Sequence, residues 1–156
     1  ESLRAATATE LASKLPPVGM HMPINGEITS RFTRSRFHPI LQVFRAHRGV
    51  DLAAPMGTRI LAPAVGTVTS VERRLGFGLT IEVLHSGGVL TRYAHCRSAL
   101  VQRGDTVAMG QAIGLVGESG LATAPHLHFE VLVHGTPVDP IKFIASTHFA
   151  QIPTAH

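Results

Sequence analysis

The chain is poor in cysteine, tryptophan and long apolar runs. Cys96 is the only cysteine among 156 residues, which excludes an intrachain disulfide and any zinc site built from several cysteines. No apolar run approaches the roughly 18 residues of a membrane-spanning helix, so we expect no membrane contact within this chain. No segment resembles a signal peptide. Because the chain begins at Glu1 rather than at methionine, we expect it to be a piece of a longer protein.

Lysine and aromatic residues are also scarce, although the formal net charge is +4. Twelve of the fourteen basic residues are arginine, and they are scattered along the chain rather than gathered in a stripe. No aromatic residues alternate with them, so we predict that the chain binds no nucleic acid. The aromatic content of 5% predicts a core built from Val, Ile, Leu and Ala.

Glycine and proline are plentiful, with 15 and 10 residues, and they separate many short apolar segments. The segments leave no room for crossover helices, so we predict an all-β fold, an antiparallel sandwich or open barrel of short strands. The arginine-rich segment from Thr33 to Phe44 is interpreted as a loop. We divide the chain into a helical lead-in or linker at 1–21, a domain at 22–144 and a C-terminal tail at 145–156.

The segment from Ala124 to Glu130 concentrates residues that carry chemistry. Strict alternation places His126, His128 and Glu130 on one face of a strand, with apolar residues on the other. Two residues of strand span roughly 6.6 Å, so both imidazoles can reach a common point. A half-exposed strand with outward polar residues explains the same pattern, so the interpretation depends on further ligands upstream.

Two upstream segments supply such ligands. His47 and Asp51 would lie about 13 Å apart on a straight strand, so they share an ion only if the chain bends at Gly49. His95 follows Tyr93 and Ala94, and alternation aligns it with Tyr93. Imidazole and carboxylate groups are the ligands that zinc prefers, and a catalytic zinc site keeps one position open for water.

The order of these motifs resembles the lysostaphin-type zinc metallopeptidases, also called LytM-domain peptidoglycan endopeptidases. The resemblance covers roughly residues 22–144. It is carried by His47-x-x-x-Asp51, Tyr93-Ala94-His95 and Pro125-His126-Leu127-His128-Phe129-Glu130, with support from Thr29-Ser30-Arg31-Phe32, His38-Pro39-Ile40 and Val101-x-Arg103-Gly104-Asp105-x-Val107.

The resemblance implies a role for each site residue. It implies that His47, Asp51 and His128 bind Zn²⁺, and that His95 and His126 serve catalysis. One of these two histidines would transfer protons and the other would stabilise the oxyanion, and the sequence does not say which. The implied activity is that of a zinc metalloendopeptidase that cuts peptide stems or cross-bridges of peptidoglycan, in the periplasm or outside the cell. The oligomeric state is left open.

Two other functions are compatible with parts of the sequence. The segments from Ala62 to Val68 and from Gly104 to Gly114 resemble biotinyl and lipoyl carrier domains, but no acceptor lysine occurs between Lys14 and Lys142. A non-catalytic LytM-like domain that activates another wall hydrolase typically lacks ligands, and all three are present here. An intact site can also be silenced by a segment that covers it, and the residues before Met22 are the candidate for such a segment.

Several side chains near the predicted site have two interpretations. Glu130 either supports a histidine or faces solvent, and Tyr93 either orients substrate or packs. Cys96 has the opposite strand parity to His95 and is expected in the core. His38 is expected near the groove entrance. The remaining histidines are expected to face solvent or to cap turns: His21, His85, His134, His148 and His156.

Overall fold

A computed structural model describes residues 14–38, 43–120, 122 and 124–149 of the chain. Within these residues the chain forms twelve strands, a short 3₁₀ turn at Ser86–Gly88 and one helix. The elements are β1 Glu27–Ser30, β2 Thr33–His38, β3 Val43–His47, β4 Val50–Ala53, β5 Arg59–Leu61, β6 Gly66–Arg74, β7 Gly78–Leu84, β8 Val89–Ala99, β9 Thr106–Val107, β10 Ala112–Val116, β11 His126–Val133, β12 Thr136–Val138 and α1 Pro140–Phe149.

Ten of the described strands form one sheet, in which every pairing is antiparallel. The path runs β1-β4-β11-β8-β7-β6-β9, and β12 pairs with the far end of β11. The long strand β8 lies between β11 and β7 over its first part, and then pairs with β10, which in turn pairs with β5. The prediction of an antiparallel all-β fold is therefore confirmed.

Alternation along the central strand β11 separates the core from the polar face. Leu127, Phe129 and Val131 are fully buried in the hydrophobic core. This core is mostly aliphatic, as the composition predicts, with Tyr93 and Phe129 among its largest side chains. The opposite face of β11 is thereby left to His126, His128 and Glu130.

The arginine-rich segment predicted as a loop instead contains two strands. β2 and β3 pair with each other in a separate two-stranded sheet, with Thr33 opposite His47. The prediction was wrong because arginine content does not exclude a strand in a ribbon outside the main sheet, where no apolar alternation is required. The pairing matters for the site because it engages His47, the last residue of β3, which lies just before β4 in the chain.

The helix α1 closes the described part of the chain. Pro140 occupies its start, where a missing N–H is tolerated, and Asp139 Oδ1 accepts a hydrogen bond from Ile141 N at 3.0 Å. Thr147 is buried, and its Oγ1 accepts a hydrogen bond from Met20 N at 3.0 Å. The helix thus continues beyond the predicted boundary at Ile144, whereas most of the predicted helical lead-in lies outside the described residues.

Of the helices described, none has the length and apolar character that crossing a membrane requires.

Candidate metal centre and active-site groove

The candidate site lies where β3, β4, β8 and β11 meet. β11 is flanked by β4 on one side and by β8 on the other, and the register places His128 opposite both Asp51 and Ala94. His126 is opposite Ala53 on β4. The pairing of strands distant in sequence therefore brings the predicted ligands of β4 and β11 to one place.

The bend between β3 and β4 brings His47 toward Asp51. His47 ends β3 and Val50 begins β4, so Gly49 lies in the bend. A Cβ atom at Gly49 would overlap the carbonyl oxygen of Phe129 on β11. The predicted bend is present, and the glycine is required by this close approach of two backbones rather than by an unusual φ angle.

His47, Asp51 and His128 form a compact group of potential metal ligands. One ligand atom from each residue can be chosen so that all lie within 4.8 Å of one another. His47 Nε2 is 3.4 Å from Asp51 Oδ2, and His128 Nδ1 is 2.8 Å from Asp51 Oδ1. Two imidazoles and a carboxylate with room for a fourth ligand match the donor set of a catalytic zinc site.

The hydrogen bonds behind the two imidazoles direct one nitrogen of each toward this group. His47 Nδ1 lies 2.8 Å from the carbonyl oxygen of Arg31, so Nδ1–H donates and Nε2 carries the free lone pair. His128 is oriented the other way, with Nε2–H donating to Glu130 Oε2 at 2.8 Å and Nδ1 facing Asp51. A cation at the centre of the group would replace the proton between His128 and Asp51, so the residues fit a metal ion.

His95 reaches the groove through an irregularity in β8. Its φ angle is 62°, in the left-handed region that non-glycine residues rarely adopt, and the pairing of β8 with β7 shifts register nearby. Alternation is broken at this point, so Tyr93 lies fully buried while His95 lines the groove. Such local strain is often found at functional sites.

Ser119 holds the His95 ring in this conformation. His95 Nδ1–H donates to the Ser119 carbonyl at 2.7 Å. The Ser119 hydroxyl donates to the Cys96 carbonyl at 2.8 Å and accepts from Leu79 N at 3.1 Å. Because Nδ1 is engaged, Nε2 is the nitrogen of His95 left for chemistry.

His126 is the neighbour of His95 in the groove. Its Nδ1–H donates to the Ala124 carbonyl at 2.9 Å, so Nε2 is again the free nitrogen, 3.9 Å from Asp51 Oδ1. The ring centroids of His95 and His126 are 4.7 Å apart. All five predicted site residues therefore line one open groove of about 480 Å³. A larger apolar cavity of about 720 Å³ elsewhere contains none of them.

The connection between β6 and β7 forms one wall of the groove. Phe77 stacks on His128, with ring centroids 5.6 Å apart and planes 17° from parallel. Leu75 also lines the groove and is fully exposed. The motif analysis did not select either residue, although the flanking Gly76 and Gly78 mark a tight turn.

The structure also shows where the other residues considered in the sequence lie. Glu130 is 1% exposed and supports His128. Tyr93 packs in the core, where its hydroxyl lies 2.6 Å from Thr91 Oγ1. Cys96 is buried as predicted, and burial raises the pKa of its thiol to about 12. His85 was expected to face solvent or cap a turn but is buried, with its nitrogens 2.8 Å from Val65 O and Thr91 Oγ1. The side chain of His38 lies outside the described part of the structure.

The carboxylates of Asp51 and Glu130 both face the imidazole of His128 and raise its proton affinity in the metal-free site. Burial disfavours the imidazolium of His128, but hydrogen bonds to Asp51 and Glu130 outweigh it and raise the pKa of His128 to about 9. Burial likewise disfavours the carboxylate forms, but the contacts with His128 lower the pKa of Asp51 and of Glu130. Below the pKa of His128, a metal ion must displace its proton.

These shifts predict how the stability of the metal-free protein depends on pH. The raised pKa of His128 stabilises the fold fully below the ordinary histidine value of 6.5, and this contribution is lost as pH rises through about 9. The lowered pKa values of Asp51 and Glu130 stabilise the fold above their ordinary values of 3.8 and 4.5, and this contribution is lost in acid. The free energy of unfolding, measured with urea in the presence of chelator, should therefore be higher at about pH 5.5 than at about pH 10. In a His128→Gln variant that difference should shrink, and an unchanged difference would contradict the prediction.

Comparison with known proteins identifies the family. The model described as Peptidase family M23 matches residues 45–140, which contain His47, Asp51, His95, His126 and His128. The chain belongs to peptidase family M23. The lysostaphin-type, or LytM-type, resemblance seen in the sequence is thereby confirmed.

Two curated relatives of this M23 domain are endopeptidases by name. The "DD-carboxypeptidase/endopeptidase Mpg" of Neisseria meningitidis serogroup B is 44% identical over 112 residues, which are 72% of this chain and 26% of the relative. The "Peptidoglycan DD-endopeptidase ShyA" of Vibrio cholerae is 37% identical over 115 residues, 74% of this chain and 27% of the relative. The chain thus spans about a quarter of the length of these relatives.

Solved structures share the M23 fold. A zinc-containing peptidase from Vibrio cholerae superposes with a TM-score of 0.76 at 36% identity, covering 80% of this chain and 39% of that one. The catalytic domain of lysostaphin from Staphylococcus simulans superposes with a TM-score of 0.67 at 28% identity, covering 78% of this chain and 93% of that one.

Proposed function

We propose that this M23 domain is a zinc-dependent endopeptidase that hydrolyses peptide cross-links of bacterial peptidoglycan. The observation that carries the proposal is the convergence of three metal-ligand side chains and two further histidines on one open groove. A non-catalytic domain is less well supported, because none of the predicted ligands or catalytic histidines is missing.

The metal would be held by His47 Nε2, an Asp51 carboxylate oxygen and His128 Nδ1. Zinc is proposed because this donor set suits it, and because a similar structure is described as containing zinc. A bound zinc ion would polarise the scissile carbonyl and lower the pKa of a water molecule.

His95 and His126 would transfer protons and stabilise the oxyanion during the reaction. Each ring has its Nδ1–H bonded to a backbone carbonyl, so each presents Nε2 to the groove. Burial lowers the pKa of His95 more than its hydrogen bond to Ser119 raises it, so His95 is neutral at pH 7 and able to accept a proton. One histidine would take a proton from water at Nε2 and deliver it to the leaving amine, and the other would stabilise the oxyanion as an imidazolium, with a proton on Nε2.

The substrate and location follow from the relatives. Because one relative is named a peptidoglycan DD-endopeptidase and another a DD-carboxypeptidase/endopeptidase, we propose a DD-type cross-link as the bond cut. Because cell-wall peptides lie in the cell envelope, we propose that the protein acts there, in the periplasm or outside the cell. We also propose that the catalytic domain corresponds to about residues 22–144, together with the packed part of α1.

The proposed function is tested by digesting purified cross-linked peptidoglycan and identifying the muropeptides by mass spectrometry. Wild-type protein should convert cross-linked dimers to monomers, and the mass of the products identifies the bond. Chelator should abolish the conversion and added zinc should restore it. A folded, zinc-loaded wild-type protein that leaves the dimers intact would contradict the proposal and favour a binding or activating domain.

A further inference from the structure

A chain of partly buried ion pairs continues from His128 away from the groove. Glu130 uses its two oxygens for different partners, accepting from His128 Nε2 at 2.8 Å and from Arg92 Nη1 at 2.6 Å. Arg92 Nε donates to Glu82 Oε2 at 2.6 Å. Arg74 donates to both oxygens of Glu82 at 3.0 Å. Four strands, β11, β8, β7 and β6, are thus connected across one face of the sheet.

The register of the sheet is what assembles this chain. Arg92 on β8 is the direct cross-strand partner of both Glu130 on β11 and Glu82 on β7. Opposite charges at directly paired positions attract each other. Glu130 and Glu82 are 1% and 7% exposed, so both carboxylates depend on these partners rather than on water.

Arg92 is placed to fix the orientation of Glu130. Its planar guanidinium reaches two carboxylates through two different nitrogens, with Nε on Glu82 and Nη1 on Glu130. With one carboxylate oxygen held by Arg92, the other oxygen of Glu130 is directed at His128 Nε2. A lysine has one charged nitrogen and cannot reproduce this fork.

We propose that Arg92 is a positioning residue for the metal centre, acting through Glu130 to fix the ring orientation and tautomer of His128. The inference rests on the proposed function in assigning His128 as a ligand. Hydrogen-bond partners behind a metal-binding histidine set which nitrogen faces the metal. Here that partner is itself held by the Arg92–Glu82 pair rather than by solvent.

The test compares Arg92→Lys with Arg73→Lys. Arg92→Lys keeps a positive charge beside both buried carboxylates, which favours folding. Arg73 on β6 precedes Arg74 in the sequence and is exposed, so the same substitution there provides a matched control. Zinc affinity, measured by competition with a chromophoric chelator, should fall about 10- to 100-fold in Arg92→Lys and stay unchanged in Arg73→Lys.

A second readout separates positioning from general stability. In the metal-free protein, long-range ¹H–¹⁵N spectra of the histidine rings report where the proton of His128 resides. When the imidazole is neutral, the wild type should show the Nε2–H form, and Arg92→Lys should show a mixture of tautomers. If Arg92→Lys has the same His128 tautomer as the wild type, the inference is overturned, even if its zinc affinity and its stability both fall. Unchanged zinc affinity in Arg92→Lys would also overturn it. Should Arg92→Lys fail to fold, Glu82→Gln takes its place with the same two criteria.

These outcomes are distinct from failure of the proposed function. Wild-type protein that binds zinc and cuts peptidoglycan, with Arg92→Lys equal to it in both readouts, would overturn only the role of Arg92. Wild-type protein that binds no zinc would overturn the proposed function. In that case the tautomer comparison would still decide whether Arg92 positions His128.

Discussion

Replacing His128 by alanine is expected to abolish both zinc binding and cross-link hydrolysis. His128 is the central member of the ligand group, because it contacts Asp51 directly and stacks against Phe77. Its loss leaves two ligands and removes the link between the groove and Glu130. We expect zinc affinity to fall by more than the roughly 100-fold that changes behind a ligand can cost. Zinc bound per chain after dialysis, measured by atomic absorption, checks this directly.

The control is His21→Ala, which removes an exposed imidazole outside the groove. This variant should bind zinc and cut cross-links as the wild type does. Urea unfolding in chelator should accompany both measurements, because His128 is buried between two carboxylates and its removal also changes the metal-free protein. A folded His128→Ala protein that retained zinc and activity would show that the ligand assignment is wrong.

The sequence predicted those parts of the site that depend on local order. Alternation along β11 separated His126, His128 and Glu130 from the buried Leu127 and Phe129. The spacing of His47 and Asp51 required a bend, and the bend is present at Gly49. The reason differs, because Gly49 allows contact with the carbonyl of Phe129, a residue eighty positions later that only the folded sheet brings near.

Two features of the site could not be predicted from the sequence. One depends on the register between paired strands, and the other depends on a break in the alternation of side chains along β8. Alternation aligned His95 with Tyr93, but the left-handed conformation of His95 sends the two side chains to different environments. The Glu130–Arg92–Glu82 pairs exist only because β11, β8 and β7 are paired in one register. A charged residue alternating along a strand looks the same in sequence whether it faces solvent or a charged neighbour.

Removing the imidazole of His95 or of His126 is expected to leave zinc in place. The rate of cross-link cleavage should fall about 10²- to 10⁴-fold, which is the usual contribution of general acid–base catalysis. For His126 the variant is His126→Ala. For His95 the better variant is His95→Asn, because asparagine tolerates the positive φ that this position adopts. His134→Asn, which changes an exposed histidine in a turn that also has positive φ, is the matched control and should leave the rate unchanged.

The pH dependence of cleavage then separates the roles of the two histidines. Because the pKa of His95 is lowered, a rate that depends on neutral His95 as base should stay high at pH values below the ordinary histidine pKa of 6.5. If His95 is the base, the pH profile of His95→Asn should lose the fall in rate that protonation of His95 causes at acidic pH, whereas the profile of His126→Ala should keep it. The reverse result would assign the base to His126. Loss of zinc from His126→Ala would contradict the assignment more deeply, since it would make His126 a ligand and leave the groove with one catalytic histidine.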